Sequence, residues 1–310
     1  MISVIIPSYN SEKTIARCLL SLKTQTYEGE YEIIVVDSSR DRTPEIVRER
    51  FPEVDFYHLP QKTDPGTARN FGLDKSHGDI ICFIDSDCEA SPDWLDQLIS
   101  IHESYPYEAV GGSVENGNEP DAEVAWAGYM AEFREFLPDY PAREVNHIPT
   151  CNISYKRSVF ERIGRFNAAF YPQEDLEFNY RLRKAGGKIF FIPSAKIHHH
   201  HRTALKAFLQ HQKRVGKVTA QVLQLLPLEG AFLVKNPLLA TAAVPFLPFV
   251  KWWRTVKIFS RWRPELLKQH PVAVAILGLG LFPWARGFLQ GAWTRVHGIE
   301  TSVGHHSHVE

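Results

Sequence analysis

The first part of the chain alternates between short apolar runs and segments of helical period. Residues 3–6 are apolar and are stopped by Pro7. Asn10 or Ser11 can cap the next segment, where Ile15, Leu19 and Leu22 recur at three- and four-residue spacing. A second apolar run, residues 31–36, ends at Asp37, and residues 43–51 predict a short helix. Residues 54–59 predict a third strand, residues 66–75 a helix entered through a glycine, and residues 80–84 a fourth strand ending at Asp85. These strands are continuously apolar instead of alternating, which predicts a parallel sheet covered on both faces. Ligands of such sheets bind outside the carboxyl ends of the strands. PSYN, DSS and DSD, each placed after one of these strands, are therefore expected around one crevice.

Beyond residue 92 the pattern is mixed. Residues 94–104, 158–163 and 175–185 read as helices, and residues 109–114 and 188–192 as strands. Residues 120–149, rich in aromatics, acids and proline, fit neither period. Four histidines, His198 to His201, come after the last strand, and residues 203–226 predict a long helix.

The tail has a different character. Residues 236–250 and 270–285 are apolar and nearly uncharged, but each is shorter than the ~20 residues a spanning helix needs. Prolines interrupt or flank both segments. Between them, KWWRTVKIFSRWR places Lys251, Arg254, Lys257 and Arg261 on one helical face and Trp252, Val256 and Phe259 on another. A basic, tryptophan-bearing amphipathic helix suits a membrane interface. Two full spans would put this basic loop outside, against the positive-inside tendency. Interfacial or re-entrant helices are thus expected, with a soluble helical subdomain as the alternative. The expected division is a catalytic domain over residues 1–216 and a helical C-terminal region over residues 217–310.

Composition narrows the functional classes. With 35 Lys+Arg against 36 Asp+Glu in 310 residues, a general nucleic-acid binder is excluded. Cys18, Cys82, Cys88 and Cys151 show no paired spacing and read as reduced thiols. Met1 leads straight into a strand-like run without a basic n-region, so no secretory signal is expected there.

Several positions carry candidate chemistry. Asp85 and Asp87 alternate at a strand end, where carboxylates can hold a hard divalent cation that bridges to phosphate. The same pattern also forms ordinary solvated turns. Asp37 can accept hydrogen bonds from a base or ribose, or simply form a turn with Ser38 and Ser39. DPGTARNFG puts Arg69 early in a helix, and both helix N-termini and arginine favour phosphate. Glu174 and Asp175 begin a helix, where the dipole keeps a carboxylate ionised as a base, although acids also cap helices there. One of His198 to His201 can complete a metal site.

Together these segments resemble family-2 glycosyltransferases of the GT-A fold. The resemblance runs from Ile2 to about Gly216 and rests on SVIIPSYNSEKTI, EIIVVDSS, GTARNFGL, GDIICFIDSDCEASPDWL, CNISYKRSVFERIGRFN and QEDLEFNYRLRKAGGKIFFIP, in that order. It implies an α/β, Rossmann-like, mostly parallel sheet flanked by helices. Pro7, Tyr9 and Glu12 are implied to lie in the nucleotide-binding first loop, and Asp37 to contact the base. Asp85, Ser86 and Asp87 are implied to bind the diphosphate of an NDP-sugar through Mg2+ or Mn2+. Asp175, of the Glu174–Asp175 pair, is implied to be the catalytic base of an inverting transfer. A histidine after the last strand is implied as a metal ligand, with His199 first and His198 and His200 behind it. Asp64 departs from the Asn or Lys of many relatives, so it is expected to face base or ribose instead of phosphate.

The acceptor expected from the tail is a lipid-linked glycan, or polyprenyl phosphate itself, at the cytoplasmic face of the plasma membrane. A nucleotidyltransferase is the competing enzyme class, but PSYNSEK is a poor grip for a triphosphate. A non-catalytic membrane scaffold is the third reading, against which the intact acid pairs count.

Overall fold

The computed structural model describes residues 1–294; residues 295–310, the end of the expected C-terminal region, lie outside the described residues. The first half builds as its pattern predicts. Strands β1 (Ile2–Ser8), β2 (Tyr31–Asp37), β3 (Asp55–His58) and β4 (Ile80–Ile84) pair in parallel in the order β3-β2-β1-β4. Helices α1 (Ile15–Lys23), α2 (Thr43–Arg50) and α3 (Pro65–Lys75) connect them. Every residue of β1 is buried, as its continuous apolar run requires. β3 differs from the expected buried strand. It is the sheet edge and half exposed, and Arg48 and Lys75 cover its Phe56 and Tyr57 rings.

The second half of the same sheet is mixed. β4 continues through β8 (Asn152–Lys156) and β6 (Ala109–Asn116) to β9 (Ile189–His199), then to the short strand β5 (Cys88–Ala90). β8 runs antiparallel to both its neighbours, while β6 and β9 are parallel. Buried Asn152 ties these strands together: its amide donates to the Ser113 and Ala195 carbonyls, and its oxygen accepts from Trp94 Nε1 of α4 (Trp94–Ser104). β9 is longer than expected. It passes through Pro193 and takes in His198 and His199, so the histidine run ends the strand instead of lying beyond it.

The segment that fits neither period holds α5 (Glu123–Glu132) and an added edge strand, β7 (Arg143–Val145), paired with β9. After α6 (Arg157–Ile163) and α7 (Glu174–Lys184), the chain becomes helical: α8 (Leu205–Leu225), α9 (Ala231–Val234), α10 (Pro237–Ala243), α11 (Leu247–Trp262), α12 (Pro264–Gln269) and α13 (Pro271–Trp293).

The last helix corrects the expectation of a short apolar segment. α13 has 23 residues, its most apolar 18-residue stretch has mean hydropathy 1.7, and among the described residues it is the one helix long and apolar enough to cross a membrane. It runs on through Pro283. An interior proline costs ~3 kcal/mol, which packing along α8 can offset. Gly216, Gly287 and Gly291 let the two backbones meet: a Cβ at Gly287 would lie 2.0 Å from the Lys213 carbonyl oxygen, and one at Gly216 would lie 2.0 Å from that of Trp284. α11, α12 and α13 also share the hydrophobic core of the sheet. Phe259, Leu266, Ala273 and Leu277 join the buried cluster that contains the sheet. Arg263 ion-pairs with Glu115 and Asp139, Glu123 accepts from the Ala273 amide, and His270 stacks on Trp126 at 4.1 Å. α8 passes unbroken through residue 216.

A candidate donor site at the carboxyl ends of β1 and β4

The strand order reverses at β1, which has β2 on one side and β4 on the other. That reversal opens a crevice between the two diverging connections. A cavity of about 1350 Å3 lies there, lined by the first loop, the Asp85–Asp87 turn, the start of α7 and the end of β9, and on its other wall by α5, α8, α11 and α13.

The first loop brings Pro7, Tyr9 and Glu12 to the cavity. Tyr9 is exposed, with Lys62 over its ring at 4.3 Å. Glu12 accepts from the Arg42 amide, and Asp41, which also lines the cavity, accepts from the Glu12 amide. Ser86 is buried and hydrogen-bonds Ser11 at 2.7 Å, joining the ends of β1 and β4.

Asp37 does not line the cavity. β2 lies one strand beyond the switch point, and the Asp37 carboxylate is wholly buried. It accepts from the Ser39 amide and hydroxyl and sits 2.7 Å from His58 Nδ1. Asp64 does line the cavity, but its carboxylate caps α3, accepting from the Thr67 amide at 2.9 Å and the Thr67 hydroxyl at 2.7 Å.

Arg69 lies under the acids. It is 3% exposed, and its guanidinium donates to Asp85 Oδ1 at 2.6 Å and Glu174 Oε1 at 2.7 Å. Gly66 permits this approach, since a Cβ there would meet Glu174 Cγ at 3.2 Å. Burial pushes the Glu174 carboxyl up from its usual range, with Arg69 opposing and Asp175 adding to the rise. Burial also raises Asp175, against the pull of Arg69 and of two backbone amides. Asp175 accepts from the Thr150 and Leu176 amides and, unlike Glu174, is only half-buried at the cavity wall.

The alternation of the Asp85–Asp87 turn sends its two acids to different partners. Asp85 meets Arg69, whereas Asp87 lies 3.6 Å from His199 Nε2. His199 is in register with Cys88 on β5. Of the histidine run, His198 lies outside the cavity lining, and His200 lies 2.5 Å from Glu89. The ligand atoms of Asp87, Cys88 and His199 lie within 4.8 Å of one another. Burial, with Cys151 and Asp87 adding to it, pushes the Cys88 thiol well up, and its soft sulfur suits a hard cation such as Mg2+ or Mn2+ less well than oxygen or imidazole nitrogen does. Asp87 and His199 therefore fit a divalent cation as one oxygen and one nitrogen donor, leaving positions for phosphate oxygens.

The sequence pattern did not single out His147, which lines the cavity from within the segment that fits neither period. Its Nδ1 accepts from the Asn179 amide, and burial lowers its pKa to about 4, so it stays neutral. Arg134 and Trp284 were also missed, for no local motif marks them.

The glycosyl transferase family 2 model matches residues 3–164. Glycosyltransferase AglE of Haloferax volcanii is 31% identical over 71% of this chain and 73% of its own length. The dolichyl N-acetyl-alpha-D-glucosaminyl phosphate 3-beta-D-2,3-diacetamido-2,3-dideoxy-beta-D-glucuronosyltransferase of Methanococcus voltae is 26% identical over 69% of this chain and 71% of its own. The mannosyltransferase PcManGT from Pyrobaculum calidifontis, solved with GDP-Man and Mn2+, superposes with a TM-score of 0.59 at 18% identity, covering 94% of this chain and 87% of its own. Staphylococcus aureus TarS residues 1–349 with UDP-GlcNAc superposes at 0.53 and 19% identity, covering 93% of this chain and 90% of its own. The parallel half-sheet, the crevice at its switch point and these matches agree: the chain belongs to glycosyl transferase family 2 and is a sugar-transferring enzyme of GT-A fold.

Proposed function

We propose that the chain transfers a sugar, with inversion, from a nucleoside-diphosphate sugar to the hydroxyl of a lipid-linked acceptor. The observation that carries this reading is the pairing, in one cavity, of Asp87 and His199 with Asp175. Asp87 and His199 would hold Mg2+ or Mn2+, which when bound offsets the charge of a diphosphate leaving group. The first loop, with Tyr9 exposed and Asp41 beside Glu12, is suited to the nucleoside. Asp175 takes the proton of the acceptor hydroxyl as that oxygen bonds to the anomeric carbon, and the bond to the diphosphate breaks. Glu174, locked on Arg69, is a positioning residue: it holds Arg69 and, through it, Asp85. Asp37 supports the loop from beneath through Ser39 and His58.

The lipid-linked acceptor is supported by the outer surface of the tail. Phe246, Phe249, Val250 and Trp253 are more than half exposed, as are Val272 and Phe282. Phe249 meets Phe282 at 6.1 Å, so the exposed rings of α11 and α13 adjoin. Such a patch favours a membrane interface on the cytoplasmic side, where nucleotide sugars are found. The relatives' names support the same acceptor class, as the Methanococcus protein is described as acting on a dolichyl phosphate glycan.

Binding of UDP, GDP, dTDP and CDP to the full chain, with and without Mn2+, tests the donor site. Metal-dependent binding of one nucleotide, lost in Asp87→Ala and weakened in His199→Ala, is expected. No binding of any nucleotide would overturn the reading. Flotation with anionic vesicles tests the surface: Phe246→Ser/Phe249→Ser/Trp253→Ser should no longer float, and unchanged flotation would remove the membrane from the proposal.

A further inference from the structure

The wall of the cavity formed by α5, α8, α11 and α13 carries two cations, Arg134 and Lys251, that the donor chemistry does not use; the acids of this wall are already engaged, Glu132 with His211 and Glu135 with Arg134. Lys251, on α11, lies over the Trp284 ring of α13 at 4.0 Å, and both line the cavity. Arg134, just beyond α5, lines it too and is among the charges acting on Lys251. These residues come from α11, α13 and the turn after α5, which are distant in sequence. Among the described residues Lys251 has no carboxylate within salt-bridge distance, and none of the cavity acids is among the charges that shift it. Burial, with Arg134 and Arg254 adding to it, lowers the Lys251 ammonium to about 7. Burial also lowers Arg134, and its one ion-pair partner among the described residues is the adjacent Glu135.

Half-buried like charges facing one cavity oppose folding, because each loses hydration and gains repulsion. A stack of Lys251 on Trp284 for packing alone would be served by a neutral chain, with none of that cost. An anion in the cavity reverses both effects. The surroundings specify which kind. The cations sit where the cavity meets α11 and α13, whose outer faces are the exposed apolar patch. An anion bound there is within reach of an apolar chain lying on that patch, while its other end faces Asp175.

We infer that Arg134 and Lys251 form a phosphate subsite for the acceptor, binding the phosphate or diphosphate of an isoprenoid-type lipid whose chain lies along α11 and α13. This rests on reading the strand-end acids as the donor site, and it assigns the second substrate its own anchor. The donor's diphosphate is held near Asp87 and His199; the acceptor's phosphate is held across the cavity, leaving the sugar-accepting hydroxyl between them.

The test is calorimetric titration of the full chain in detergent micelles with farnesyl phosphate, farnesol and inorganic phosphate, beside the nucleotide–Mn2+ titration. Farnesyl phosphate should bind at least tenfold more tightly than either fragment. Lys251→Met and Arg134→Gln should each weaken it tenfold or more, Lys251→Arg should retain it, and nucleotide binding should stay within twofold in all three. Unchanged farnesyl phosphate affinity in Lys251→Met would overturn the inference. So would inorganic phosphate competing with the nucleotide in a Lys251-dependent manner, since the cations would then serve the donor. Nucleotide binding without farnesyl phosphate binding defeats the subsite and leaves the donor site standing; loss of both in the wild type defeats the two together.

Discussion

The two walls of the cavity are built on opposite principles. The acid wall is made by backbone: Asp85 and Asp87 occupy the turn after β4, His199 ends β9, and Asp175 begins α7, so sheet register and a helix start set their positions. Its charges are compensated, with Arg69 between Asp85 and Glu174 and amides on Asp175. The cation wall is made by side chains reaching from helices that meet only after folding, and Lys251 there faces Arg134 and Arg254 with no carboxylate partner among the described residues. A compensated site is ready for chemistry before substrate arrives. An uncompensated one gains stability only when its ligand binds.

Four substitutions sharpen this contrast. The largest effect belongs to Asp175→Asn, which should lower the transfer rate by about 10²- to 10⁴-fold, the range of a lost general base, with nucleotide binding retained. Steady-state rates beside nucleotide titration read both, and a surviving rate would move the base elsewhere. Arg69→Met comes next. It leaves Asp85 and Glu174 facing each other without their shared cation, and breaking such a buried pair costs about 3–5 kcal/mol. Urea denaturation should show that loss; a midpoint like the wild type's would mean that the acid wall is not held by charge compensation.

On the cation wall the same measurement should give a smaller number from a different cause. Gly287→Ala forces α13 off α8, where no gap exists for a Cβ, and overpacking of this kind costs about 1–3 kcal/mol. If stability were unchanged, the close approach of α8 and α13 would not be what holds that wall. The smallest change is expected from Asp64→Ala, which removes the α3 cap for about 1 kcal/mol and leaves nucleotide affinity within twofold. A large loss of nucleotide affinity would show that Asp64 binds ligand as well as capping.

The acid wall was legible in the sequence because strands are local. A continuous apolar run with a polar residue after it marks a strand end, and the ends of neighbouring parallel strands fall on one side of a sheet. Asp85 and Asp87 could be placed on that basis and Glu174 and Asp175 as a helix start, and β9's period of two is what turns His199 and not His198 toward the cavity. Three features of the same region could not be read this way. Asp37 ends a strand as Asp85 does, yet it falls one strand past the switch point and turns into its own loop. Arg69 is spent on two carboxylates, one of them 105 residues away. Asp64 is used as a cap.

The tail was legible in composition but not in arrangement. Its apolar segments and basic stripe were visible, but the reach of α13 through Pro283 depends on glycines that only matter once α8 lies against them. The spacing of the stripe predicts one outer face. Instead Lys251 turns into the cavity while Trp253 faces out. The local pattern was enough for the parallel strands β1, β2 and β4, for the acids after β4 and for the family, because these depend on neighbours a few residues apart, whereas the short strands β5, β7 and β8 carry no such run. Only folding settled which acids face the cavity, which cations share it, and that helices of the tail form one of its walls. Those outcomes depend on strand order and on helix-to-helix contact, and neither is encoded in any short stretch of chain.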